Sequence, residues 1–180
     1  MKQKDKKIII LFPGKGYSTD MPLLYYAGFK YAMKGYKVLP IHYGALDKEK
    51  SRSEVLEIAK AEASKQVKDV DFSKYEEIVF ASKSVGTVVA GYISEELDEN
   101  IKHIYLTPID ETLQFINNKD DIIAIIVGEE DKVFDTNTLK AHCHQKGIEL
   151  HVIEGAGHSL EKFENAVDNI DILKRIVELY

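Results

Sequence analysis

The chain has 180 residues, of which 44% are hydrophobic and 30% charged, and 24 Lys+Arg against 30 Asp+Glu give a net charge of −6. Such average usage excludes disordered, collagen-like and mucin-like chains, and the acidic balance argues against a phosphate-backbone footprint, so no nucleic-acid partner is expected. The single cysteine, Cys143, cannot form an intrachain disulfide, so nothing demands an oxidising compartment.

The basic N-terminal lead meets an apolar stretch over 8–12 that stops at Pro13-Gly14, too short for a signal peptide. No apolar run approaches the ~18 residues of a membrane-spanning helix, and the expectation is a cytoplasmic protein without a membrane partner. Short β-branched runs at 7–12, 37–42, 77–82, 102–107, 122–127 and 149–153 alternate with longer stretches of helical period. Ile8-Ile9-Ile10-Leu11 and Ile122-Ile123-Ala124-Ile125-Ile126-Val127 are apolar on consecutive residues, as strands covered on both faces are, which predicts a parallel sheet.

After the second run, Ser51 and Glu54 have capping-box spacing, and Leu56, Ala59, Ala63 and Val67 form an apolar stripe with Lys60, Glu62 and Lys65 in water. The segment 85–93 is apolar nearly all round and predicts a helix buried in the middle of the structure. A short helix over 111–117 fills the link between the fourth and fifth strands. Leu160, Phe163, Val167, Ile170, Leu173 and Val177 give a last helix one stripe, with Ser159 to cap it. Without repeats, linkers or an inserted cap, residues 1–180 read as a single domain. Its class is α/β: a doubly wound, mostly parallel six-stranded sheet with helices on both faces.

Ligands of such sheets bind at the carboxyl ends of the strands, which directs attention to the loops 13–20, 43–47, 83–86, 108–111, 128–133 and 155–158. In Ser82-Lys83-Ser84-Val85-Gly86, Ser84 sits where a strand turns into a buried helix, lifted above the sheet edge with the positive helix end beneath it. In Gly155-Ala156-Gly157-His158-Ser159, His158 follows the last strand, within range of a nucleophile on a central strand; the other histidines read as surface or core residues. In Gly128-Glu129-Glu130-Asp131, a carboxylate can accept an imidazole N–H and fix its tautomer. This loop offers three adjacent acids, Glu129, Glu130 and Asp131, and Asp110-Glu111, which also follows a strand, is an alternative source of the carboxylate.

On these residues the chain resembles the α/β-hydrolase family: the order serine, acid, histidine on a doubly wound sheet is the family's, and the likeness extends from Ile8-Ile9-Ile10-Leu11-Phe12-Pro13-Gly14 to Gly157-His158. It is similar to the small, lidless members. The resemblance implies Ser84 as nucleophile, His158 as general base and acid, and Asp131 as orienting carboxylate. It implies an oxyanion hole built from the N–H groups of Val85 and Lys15, with Gly16 as substitute. Two positions depart from the family pattern: Ser82 replaces the first elbow glycine, and Pro13 stands where a histidine is common. The expected reaction is cleavage of a small carboxylic ester or thioester through an acyl-enzyme, without a cofactor. The alternative is a non-catalytic binding or scaffolding domain on the same fold.

Candidate walls of an open, shallow site are Tyr17, Met21, Ile109, Val133, Phe134 and Leu160, suited to a short acyl or alkyl group. Lys83, beside the serine, either favours an anionic substrate or lies along the surface. The spacing in Gly14-Lys15-Gly16 fits neither phosphate-binding glycine motif. His142 and His144, two apart, cannot share a helix face, so no metal is expected. Neither residue patterns nor composition bear on the oligomeric state.

Overall fold

The computed structural model describes residues 6–46, 50–97, 99–162 and 165–180, and among these the chain forms one six-stranded, wholly parallel sheet. The strands are β1 (Lys6–Phe12), β2 (Lys37–Pro40), β3 (Tyr75–Lys83), β4 (Ile101–Leu106), β5 (Ile122–Gly128) and β6 (His151–Ile153), in the spatial order β2-β1-β3-β4-β5-β6. All six runs expected from the sequence are strands, the second and sixth shorter than expected.

Alternate strand residues feed two cores, as the period of two requires. Ile9, Leu11, Val79, Ala81, Ile104, Leu106, Ala124 and Ile126 meet α1 (Pro22–Met33) and α5 (Ala166–Glu178) on one face. Ile8, Ile10, Phe12, Ile78 and Phe80 meet α2 (Arg52–Val67) and α3 (Val85–Glu96) on the other. On that same face Tyr105, Ile125 and Val127 pack on α4 (Thr136–Lys146). Both faces of the central strands are therefore sealed, which is why their sequences show no polar alternation.

The capping box at Ser51 forms as the spacing predicts: Ser51 Oγ accepts the Glu54 N–H and Glu54 Oε2 accepts the Ser51 N–H. The expected stripe Leu56, Ala59, Ala63 and Val67 is buried, and Val55 joins it. The short helix expected over 111–117 after β4 is a 3-10 helix over Asp110–Phe115. Its Phe115 ring packs against α3 at Gly91, where an added Cβ would lie 2.3 Å from it.

The last helix differs most from its expected form. It starts at Ala166 with Asn165 as its cap, not at Ser159. Leu160 adopts φ 62, which ends any helical path before it begins, and serves as a core residue of the preceding turn. The face turned inward carries Ile172 and Ile176, while Val167 and Ile170 are exposed; Phe163 lies outside the described residues. No helix among the described residues is long and apolar enough to cross a membrane.

The sheet reverses its winding between β1 and β3, since β2 lies outside β1 while every later strand is added on the opposite side. The crevice above the carboxyl ends of β1 and β3 is thus the topological switch point.

Candidate active site

Ser84 stands at the end of β3 and the start of α3 with φ 53 and ψ −124, a backbone that a side-chain-bearing residue adopts only under strain. The surroundings enforce it. The Ser84 N–H donates to the Leu106 carbonyl at 3.0 Å, and Gly86 follows where a Cβ would come within 2.4 Å of the carbonyls of both Phe12 and Pro13. Only glycine lets α3 pass so close beneath the end of β1. Ser82, in place of the first elbow glycine, is fully buried and donates its hydroxyl to the Ile104 carbonyl at 3.2 Å, so the extra atoms are accommodated between neighbouring strands.

His158 reaches Ser84 from a loop 74 residues downstream: His158 Nε2 lies 2.8 Å from Ser84 Oγ. The other ring nitrogen, Nδ1, lies 2.8 Å from Asp131 Oδ2. With Nδ1 protonated toward the carboxylate, Nε2 carries the lone pair that accepts the serine hydroxyl. Asp131 has a fully buried side chain, and its second oxygen accepts the Val133 N–H at 2.8 Å. Burial opposes its ionisation, but the bonds from His158 and from the Val133 amide prevail and hold the carboxyl below its ordinary value. Asp110 and Glu111, the alternative acids, instead pair with Arg52 at 2.5 and 3.3 Å on an exposed surface.

Gly128, which the sequence reading did not single out, lets the histidine loop reach this position. A Cβ there would lie 2.2 Å from the Ala156 carbonyl and 2.3 Å from that of Gly157, so only a glycine at the end of β5 lets the His158 loop cross so closely. Downstream of Gly128, the Glu130 N–H takes the Ala156 carbonyl at 2.9 Å.

The turn after β1 is closed by paired bonds between Gly14 and Tyr17, which leaves Lys15 and Gly16 exposed at its tip, Gly16 at φ 75. A Cβ on Gly14 would lie 3.3 Å from that of Ser84, so this turn overhangs the serine. Val85 is the first residue of α3, where an amide has no carbonyl one turn back to bind.

Of the expected walls, Met21 and Tyr17 line a cleft of about 440 Å³ between the 14–17 turn and the segment after β2, with Ser18, Thr19, His42 and Tyr43. None of Ser84, Asp131 and His158 lines that cleft; it adjoins Ser84 through Gly14. Tyr17 and Leu160 border a second cleft of about 270 Å³ against α5. Val133 is exposed, whereas Ile109 is 1% exposed, packed with Val55, Leu56, Val85 and Val88, and Phe134 packs on the α4 core. Ile109 and Phe134 thus sit in the packing rather than along an open wall.

Lys83 is neither a surface residue nor directed at a cleft: it is 2% exposed, with Nζ 2.5 Å from Thr107 Oγ1 and 2.7 Å from the His158 carbonyl. No set of three or more His, Cys, Asp or Glu side chains among the described residues could hold a metal ion. Cys143 is buried, which pushes its thiol up to about 11.

No family model and no curated protein matches the sequence. Solved structures do. An α/β serine hydrolase homologue from Coxiella burnetii is 17% identical with a TM-score of 0.65, over 98% of this chain and 86% of that one. A serine hydrolase without a lid from Xanthomonas campestris is 14% identical at a TM-score of 0.63, over 98% and 84%. Est1E from Butyrivibrio proteoclasticus, solved with ferulic acid, is 13% identical at 0.62, over 99% and 91%. The chain has the α/β-hydrolase fold.

Proposed function

We propose that this protein is a serine hydrolase that cleaves a small carboxylic ester or thioester, with residues 1–180 acting as one catalytic domain and no cofactor. The observation that carries the reading is the convergence of Ser84 Oγ, His158 Nε2 and Nδ1, and Asp131 Oδ2 through two contacts of 2.8 Å, from segments that follow β3, β5 and β6. A hydroxyl, an imidazole and a buried carboxylate in series supply what a serine lacks at neutral pH, a base to take its proton and a partner to steady the resulting imidazolium.

In this mechanism Ser84 Oγ attacks the acyl carbon as its proton passes to His158 Nε2. The negative charge that develops on the acyl oxygen is met by the N–H of Val85 at the positive end of α3 and by a second amide from the 14–17 turn, Lys15 or Gly16. His158 returns the proton to the leaving alcohol or thiol. Water, activated by the same imidazole, then releases the acid. Tyr17 and Met21, which line the cleft beside the turn, are candidates to face the acyl or alkyl group.

The test is a panel of short-chain p-nitrophenyl esters and acyl thioesters with the purified protein. The expected result is turnover with an initial burst of released alcohol or thiol, abolished in Ser84→Ala. Absence of turnover with every member would move the weight to a binding or scaffolding role on the same fold.

A further inference from the structure

We propose that Lys83 is a positioning residue whose side chain ties the backbone of His158 to the Ser84 elbow; this rests on the hydrolase reading above. Lysine is among the residues least often buried, yet Lys83 is 2% exposed, directly before the candidate nucleophile. Its donors go to neutral partners: Thr107 Oγ1 at 2.5 Å, the His158 carbonyl at 2.7 Å, and the face of the Tyr17 ring, whose centroid is 5.3 Å from Nζ. The carboxylates of Asp131 and Glu161 act on it through space, while burial dominates and pushes the ammonium down to about 8.

The partners are themselves fixed. Thr107, at the end of β4, holds φ 43, an outlier for a β-branched residue, with its N–H on the Ile126 carbonyl at 2.7 Å. Tyr17 accepts the Leu23 N–H of α1 on its hydroxyl at 2.9 Å. Lys83 therefore sits at a node joining β3, β4, the 14–17 turn and the histidine loop.

That loop contains no regular structure around His158. Upstream it is held by the bond from Glu130 N–H to the Ala156 carbonyl, and at His158 itself by Lys83. His158 is thus joined to the elbow twice: its ring to Ser84 Oγ, its carbonyl to the residue before Ser84. A shift of the loop that carried the imidazole off the hydroxyl would break both bonds. Lys83 is buried and lines neither of the two clefts, so its loss should lower the chemical rate and spare binding.

Lys83→Met keeps most of the side-chain volume and removes the donors; Thr107→Val removes one acceptor and Thr107→Ser restores it. Two readouts apply to the intact protein: the low-field proton resonance of the imidazole N–H bonded to Asp131, and the rate of Ser84 labelling by a fluorophosphonate alongside kcat and KM for a p-nitrophenyl ester. For Lys83→Met the expected result is a cooperatively folded protein whose low-field resonance is lost or broadened and whose labelling and kcat fall roughly tenfold or more, with KM within about twofold. Thr107→Val falls part of the way and Thr107→Ser stays near wild type. A folded Lys83→Met protein with the wild-type resonance and labelling rate would overturn the proposal. Should Lys83→Met fail to fold, equal behaviour of Thr107→Val, Thr107→Ser and wild type would overturn it instead. If the wild type is not labelled at all, the hydrolase reading falls, and the resonance comparison alone decides the role of Lys83.

Discussion

Replacing Lys83 by Met should change how stability depends on pH, because the folded protein holds this ammonium far more weakly than water does. Burial brings Lys83 from 10.5 down to about 8, so between those values the unfolded chain binds a proton that the folded chain has released. Where the unfolded state binds more protons, stability rises with pH. The cost of confining the charge is therefore present in full below pH 8 and relieved by pH 10.5. A gap of this size corresponds to about 3 kcal/mol, of which about 2 kcal/mol should appear between pH 7 and 9.5. The buried hydroxyls of Tyr43, Tyr105 and Tyr180, pushed up by desolvation, erode stability at high pH, but in both proteins alike. The assay is urea unfolding of wild type and Lys83→Met at half-unit steps from pH 7 to 9.5. Wild type should gain on the variant by about 2 kcal/mol over this range. A difference constant with pH would show that Lys83 is not a buried cation and would refute the reasoning.

Asp131→Asn leaves His158 without the acceptor that fixes its tautomer, and ester turnover should fall roughly 10³ to 10⁴-fold with little loss of melting temperature; a loss below about tenfold would argue against the relay. Gly128→Ala drives a Cβ to 2.2 Å from the Ala156 carbonyl, which should cost roughly 1 to 3 kcal/mol in chemical denaturation and displace His158, lowering turnover further than stability alone explains. Arg52→Ala breaks an exposed pair with Asp110 and Glu111 and should cost no more than about 1 kcal/mol, with unchanged ester turnover; a large loss of activity would return Asp110 to candidacy as the catalytic acid.

The strands were legible because burial on both faces writes itself into the sequence as consecutive β-branched residues, and the loops that carry Ser84, Asp131 and His158 because each comes after an expected strand. What could not be read is what depends on approach rather than on period. Gly128 matters for the carbonyls of a loop 28 residues later, and Thr107 for a φ of 43 that no local pattern announces in a threonine. Lys83 read as a side chain that either favours an anionic substrate or lies along the surface, yet the node of Thr107, Tyr17 and the His158 carbonyl takes its charge inside. In α5 the periodic stripe was real as a spacing but extrapolated backward through Leu160, whose left-handed backbone starts a new path; with the helix beginning at Ala166, Ile172 and Ile176 rather than Val167 and Ile170 face inward. In α1 a second apolar row, Tyr25, Phe29 and Met33, faces water opposite Leu24, Ala27 and Tyr31, so the contrast that marks a helix was absent from the sequence.

Intact-mass and peptide-level mass spectrometry after treatment with a fluorophosphonate tests the central claim most directly. Activation of one hydroxyl by the His158–Asp131 pair predicts a single covalent adduct, mapped to Ser84, absent from Ser84→Ala and formed at least roughly a hundredfold more slowly in His158→Ala. A wild-type protein that stays unmodified, or an adduct that forms equally in Ser84→Ala, would contradict it.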